Sequence, residues 1–340
     1  MYALLLVAVL AAINLPISTA AAQGIPLEKK SIHVAVGGKT LVAYLPLTIA
    51  ERRGFFSREG LQVEISDVAG GAKAMQSLVG GSADIISGAY EHTILMAAKG
   101  IHVKAIALQN NSYGLVIGLP KERSISYSSP RDLKGLKIGV TAPGSASAMG
   151  VNLLLAKGGL SANDVSIIGV GGGPSAIAMM KSGQLDAMAN FDPVISLLER
   201  DGLLTSVIDT RNEKDLDELY GGPFAASAFI VDVRFADQNP RTTQAFVNAV
   251  RSALEWMATA SSDEIVASVP EEYYSGDRLL YRTVVEKNRG RFSRDGRISM
   301  AAARNVQRNL ATFDDSLKNA QVDISRTFDN GFLAKAAEAK

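Results

Sequence analysis

Two stretches of fifteen residues decide the fold: Gly70-Gly-Ala-Lys-Ala-Met-Gln-Ser-Leu-Val-Gly-Gly-Ser-Ala-Asp84 and Gly172-Gly-Pro-Ser-Ala-Ile-Ala-Met-Met-Lys-Ser-Gly-Gln-Leu-Asp186. At an offset of 102, Gly70, Gly71, Ala74, Gly81 and Asp84 meet Gly172, Gly173, Ala176, Gly183 and Asp186. The identities fall where the chain changes direction, and internal similarity at a fixed offset signals repeated supersecondary units. Before each copy runs an apolar stretch, Val63–Val68 or Val165–Val170. After each comes another, Ile85–Gly88 or Ala187–Asn190. Between the glycines and Gly-x-x-Asp the apolar spacing is helical.

The order extends upstream. Strands are expected at Ile32–Val36 and Leu136–Val140, and helices at Leu45–Arg53 and Ala146–Lys157; Gly60-Leu61 answers Gly159-Leu160. A β-loop-α-β-α-β unit thus occurs twice, at about 32–88 and 136–190, which predicts an α/β protein of parallel sheets flanked by helices. Two apolar strands, Tyr113–Pro120 and Ala226–Val233, read as crossings between the units, with the polar stretch Lys121–Arg131 after the first. Beyond Asp237-Gln-Asn-Pro240 the chain reads helical: Phe246, Val250, Leu254 and Met257 form one stripe over Thr242–Ala260. Further helices are expected around Asp263–Val269, Gly276–Lys287 and Ser299–Asp315, as a coat on the first lobe.

The chain has 340 residues, which suits two domains of ~150 residues. A net charge of +1 argues against a general nucleic-acid binder. With 47% hydrophobic residues the chain is not expected to be disordered. It contains no cysteine, so disulfides, cysteine nucleophiles and iron–sulfur clusters drop out. His33, His92 and His102 lack the spacing of a metal site, and no Gly-x-Ser-x-Gly elbow occurs. Neither metal nor cofactor is expected.

Residues 1–22 carry no charge, and Ala3–Leu15 is nearly continuously apolar before Pro16 and Ala20-Ala-Ala22. This predicts an export signal cleaved before Gln23, although no Lys or Arg follows Met1. No cysteine follows the run, so a lipid anchor is not expected.

Tyr44-Leu-Pro-Leu-Thr-Ile-Ala-Glu51, Gly54-Phe-Phe56 and Glu59-Gly-Leu-Gln-Val63 resemble the opening of periplasmic nitrate/sulfonate/taurine-type solute-binding proteins. Leu78-Val-Gly-Gly-Ser-Ala-Asp84, Asp132-Leu-Lys-Gly-Leu-Lys-Ile-Gly139, Gly183-Gln-Leu-Asp-Ala187 and Phe191-Asp-Pro193 continue it, over about 31–235. The order and spacing of these motifs carry the resemblance. It implies a type II two-lobe periplasmic-binding-protein fold, each lobe a mostly parallel sheet with helices, hinged by two crossover strands. Lobe 1 would comprise 23–117 and 230–340, and lobe 2 would comprise 118–229. The implied function is capture of a small, anionic organic solute (sulfonate, nitrate, carboxylate or pyrimidine-like) for an ABC importer's permease and ATPase. The protein would be a periplasmic monomer. The alternatives are a sensory binding protein and, on the same fold, a pyrimidine-precursor synthase; the synthases carry a cysteine-rich motif this chain lacks.

Ligands of open α/β sheets bind beyond the carboxyl ends of the strands. After the first strand come Lys39, Leu41 and Tyr44. Lys39 reads as a cationic partner for an anion or as a solvated surface residue; Tyr44 reads as a pocket wall or a core-edge aromatic. Gly38-Lys39-Thr40 is no P-loop, since His33 stands where that motif needs glycine. Thr141-Ala-Pro-Gly-Ser-Ala-Ser147 opens a helix, whose free N–H groups and dipole suit an anion at Thr141, Ser145, Ala146 and Ser147; plain N-capping by Ser145 explains the same residues. The resemblance places ligand contacts at Gly88, Ala89 and Tyr90. Glu91 would repel an anion and is expected to face out or pair with a cation, and His92 is expected to be structural. Asn190 offers an amide, Phe191 a stacking face, and Asp192 suits a cationic or hydroxylated group or an interlobe bridge. Tyr113 stands at the first crossing, placed to close one side.

Overall fold

A computed structural model describes residues 26–122, 126–318 and 320–338. The expected export signal lies outside them. The first sheet holds β1 (Ser31–Val36), β2 (Gln62–Asp67), β3 (Ile85–Ala89) and β4 (Val103–Leu108). The second holds β5 (Val116–Pro120), β6 (Lys137–Val140), β7 (Ser166–Gly169), β8 (Ala187–Asn190) and β9 (Leu204–Asp209). The last strand, β10 (Ser227–Asp232), returns to the first sheet.

The strand orders are β2-β1-β3-β10-β4 and β7-β6-β8-β5-β9. They superpose term by term. β1 pairs in parallel with β2 and β3, as β6 does with β7 and β8. In each sheet the antiparallel member has crossed from the other: β10 lies between β3 and β4, and β5 between β8 and β9. The repeat read from the glycines is therefore a repeat of topology, and the fold is the two-lobe periplasmic-binding-protein fold. Central strands β3 and β8 are buried along their whole length, as strands covered on both faces must be.

The helices of the first half are α1 (Leu45–Arg52), α2 (Phe55–Arg58), α3 (Gly71–Val79) and α4 (Glu91–Ala98). Those of the second are α5 (Ala146–Lys157), α6 (Pro174–Lys181), α7 (Val194–Arg200) and α8 (Glu213–Tyr220). Helix α6 starts on Pro174, where the missing N–H costs nothing. A Cβ on Gly37 would overlap the backbone of Gly70 and Gly71, so the end of β1 lies directly against the start of α3.

After β10 come α9 (Val233–Gln238), α10 (Pro240–Thr259), α11 (Ser262–Ala267), α12 (Arg278–Asn288), α13 (Met300–Ala311), α14 (Asp315–Lys318) and α15 (Gly331–Glu338). The α10 stripe is buried as its spacing requires. Phe246 lies between Phe56 and Phe229, each with its ring centroid 5.2 Å away. Not all of this tail covers the first sheet. Helix α12 packs on α7, and α13 touches α4, α5 and α8, so these two helices also hold the second half. Among the described residues no helix is long and apolar enough to cross a membrane.

Candidate functional site

The loops at the carboxyl ends of the two sheets meet face to face. Val42 donates its N–H to the Asp192 carbonyl at 3.0 Å, and Ala72 donates its N–H to Ser145 Oγ at 3.0 Å. His92 Nε2 lies 3.0 Å from the Gly144 carbonyl. Leu41 rests on Gly172, where a Cβ would come within 2.7 Å of its side chain. The contacts join Leu41, Val42, Ala72 and His92 of the first half to Gly144, Ser145, Gly172 and Asp192 of the second. They define a closed seam between the lobes.

The expected residues divide by where their side chains go. Leu41, Tyr44, Tyr113, Ser145, Ala146 and Phe191 are buried at or beside the seam. The Tyr44 hydroxyl lies beside the Gly71 backbone, and burial together with Glu91 raises its pKa. The Tyr113 ring lies 5.6 Å from Phe191 and 6.2 Å from Phe224. Ser145 occupies the N-cap of α5, yet its hydroxyl makes no cap bond and serves Ala72 instead. Ser147 works inside its own lobe: its hydroxyl accepts the Thr141 N–H at 2.9 Å and pairs with Thr141 Oγ1 at 2.9 Å.

Other expected residues are engaged elsewhere. Gly88 and Ala89 belong to β3 and pair with Ala228 and Ser227 of β10. The Tyr90 hydroxyl meets Thr327 Oγ1 at 2.5 Å, in the segment that pairs along edge strand β4, and burial pushes its pKa up to about 12. Lys39 Nζ pairs with Glu51 at 3.2 Å. The Asn190 amide donates to the Gly171 carbonyl at 3.0 Å while its Oδ1 accepts the Phe191 N–H.

Asp192 accepts from Ser196 Oγ at 2.7 Å, Arg211 Nη1 at 3.3 Å and Asn288 Nδ2 at 3.1 Å. Its carboxylate therefore anchors the second lobe to α12, while its carbonyl crosses the seam to Val42. Burial opposes the Arg211 charge, but Asp209, Asp192 and Glu199 hold the guanidinium protonated and its pKa raised. Arg291 in turn donates to the Arg211 carbonyl.

Glu91 does the opposite of what its charge suggests: it turns in, 4% exposed, and among the described residues it has no ion-pair partner. Tyr113 donates its hydroxyl to Glu91 Oε2 at 2.5 Å. Desolvation pushes the Glu91 pKa up to about 7, against the lowering effect of the Tyr113 bond. As first residue of α4 it packs under α5 and α13, elements that burial of an apolar stripe brings over it from 50 and more residues away. Burial lowers the His92 pKa, against the carbonyls of Gly144 and Ala89. Glu91, Ala72, Gly172 and Arg211 were absent from the expected set; the equivalence of Gly70-Gly71 and Gly172-Gly173 was a signal for Gly172 alone. Among the described residues, no group of three or more His, Asp or Glu is placed to hold a metal.

A solved protein from Bordetella bronchiseptica RB50 is 46% identical and superposes with a TM-score of 0.89, over 93% of this chain and 99% of that one. The alkanesulfonate-binding protein SsuA of Xanthomonas axonopodis pv. citri, solved with MOPS, is 18% identical with a TM-score of 0.71, over 90% and 100%. A 4-amino-5-hydroxymethyl-2-methylpyrimidine phosphate synthase of Aspergillus parasiticus is 24% identical over 310 residues, 87% of this chain and 85% of that one. The NMT1-like family model matches residues 26–269, and the chain belongs to that family.

Proposed function

We propose that this protein is a solute-binding protein of an ABC importer, exported to the periplasm, that closes its two lobes around a small polar solute. The observation that carries the reading is the seam, where loops from the carboxyl ends of two topologically equivalent sheets meet. Open α/β sheets bind ligands at those ends, and hinge closure buries what lies between. Lobe 1 is taken as 23–117 with 230–340 and lobe 2 as 118–229, with hinges near 115–120 and 226–232. The solute sits among Leu41, Tyr44, Ser145, Ala146 and Phe191, and Tyr113 closes one side. Tyr90, Asn190 and the Asp192 carboxylate shape the walls from behind. Closure is the signal that the permease reads.

Binding rather than catalysis is supported by the seam's chemistry. It offers buried hydroxyls, aromatic rings and backbone N–H groups, and the chain holds no cysteine nucleophile. Native mass spectrometry of the purified protein tests the reading: a small non-covalent mass, released on collisional activation, is expected. Protein that is empty from every source and shows no thermal shift with any small solute class would overturn it.

A further inference from the structure

We infer that the captured solute presents a cationic or N–H-donating nitrogen to the Glu91 carboxylate. This rests on the solute-binding reading and narrows it to a substrate class. Glu91 lines a cavity of about 10 Å³, room for about one water, where α4 faces Met149, Gly150 and Leu153 of α5, Tyr220, Phe224, and α13. The described residues tied to it are neutral: Tyr44 and Tyr220 feel its charge, Tyr113 donates to it, and His92 follows it in α4, with Lys99 at the far end of the same helix. The α5 and α13 residues lining the cavity carry no charge.

Two cations of the loops at the strand ends already have carboxylate partners. Lys39 pairs with Glu51, and Arg211 with Asp192, Asp209 and Glu199. A carboxylate can accept about four hydrogen bonds, and Glu91 receives one from another residue. Parting the lobes lifts α5 from Glu91 and uncovers an acceptor with spare capacity. A sulfonate or carboxylate closed in beside it would add a like charge in a poorly solvated space, whereas an amine, amidinium or amide N–H supplies a further donor. The direction agrees with the raised Glu91 pKa: burial disfavours the charged carboxylate, and a cationic or N–H partner would offset that cost.

The test has two arms. The solute released on denaturation is identified by accurate mass and must contain an N–H group. The stripped protein is then titrated with benzamidine, benzamide and benzoate, which share one shape and differ in charge. Benzamidine ahead of benzamide places a cation in the seam; benzamide level with it places a neutral N–H donor there. In either case benzoate is weakest. Glu91→Gln should cut benzamidine affinity about 10- to 100-fold. Glu91→Asp, which keeps the charge, should retain the preference over benzoate and covers failure of the Gln variant to fold. A released solute without N–H, benzoate binding best, or a Glu91→Gln preference equal to wild type would overturn the inference while leaving solute capture intact. An absence of both released solute and probe binding would overturn the capture reading and this inference with it.

Discussion

The Tyr113 hydroxyl donates to Glu91 Oε2 at 2.5 Å, joining the segment that leaves the first lobe to the first turn of α4. The pair sits under α5 and α13, so the carboxylate is desolvated by both halves of the molecule at once. Stability, closure and solute choice therefore meet at one side chain.

The first consequence is a pH dependence. The Glu91 pKa rises from its ordinary 4.5 to about 7 on folding. Below 4.5 the group is protonated in both states and costs nothing. Between 4.5 and 7 the folded state holds the extra proton, so stability falls as pH rises and stays lowered above 7. The full effect is on the order of 3 kcal/mol. Urea unfolding from pH 4 to pH 8 should show Glu91→Gln gaining on wild type across that window; parallel pH profiles would remove the buried charge from the argument.

Gly172 sets how tightly the seam shuts. Its φ is not in the left-handed region, and the nearest atoms a side chain there would meet belong to Leu41 across the seam. Gly172→Val should destabilise the closed form by ~1–3 kcal/mol, the usual penalty of overpacking, with lobe secondary structure intact by circular dichroism. Adding Leu41→Ala should restore closure. Equal solute release rates in wild type, single and double variants would contradict this.

Ser145 and Ser147 are two residues apart and should behave differently. Ser145→Ala strands the Ala72 N–H across the seam and should weaken closure by about 1 kcal/mol, leaving the unfolding of lobe 2 unchanged. Ser147→Ala removes the acceptor of the Thr141 N–H inside lobe 2 and should lower its unfolding free energy by about 1–3 kcal/mol. Calorimetric unfolding alongside solute dissociation rates separates the two.

Arg211 is 9% exposed and meets Asp192, itself 2% exposed, together with Glu199 and Asp209. Arg211→Met leaves the buried Asp192 carboxylate without its ion-pair partner and should cost about 3–5 kcal/mol. A loss under 1 kcal/mol in urea unfolding, within the ~0–1 range of surface pairs, would mean the network is solvated.

Most of the fold was legible because glycines and the Gly-x-x-Asp turns mark where strands meet helices. The spacing of Ala146–Lys157 matches α5 at both ends, and the α10 stripe is buried as read. Side-chain direction at the site was less legible. Tyr90 is held by Thr327, 237 residues on in the segment that pairs along edge strand β4, and Asp192 is held by Asn288, 96 residues on. Neither partner is visible in local pattern. Glu91 was read by its charge alone, which favours water; the packing of α5 and α13 over α4 overrides that preference. The tail read as a coat on one lobe because helical periodicity reports a buried face without naming what covers it.

Small-angle scattering of the stripped protein, before and after its released solute is added back, measures closure itself. The two-lobe clamp predicts a smaller radius of gyration with solute in wild type, and no compaction in Gly172→Val. Identical scattering with and without bound solute would contradict it.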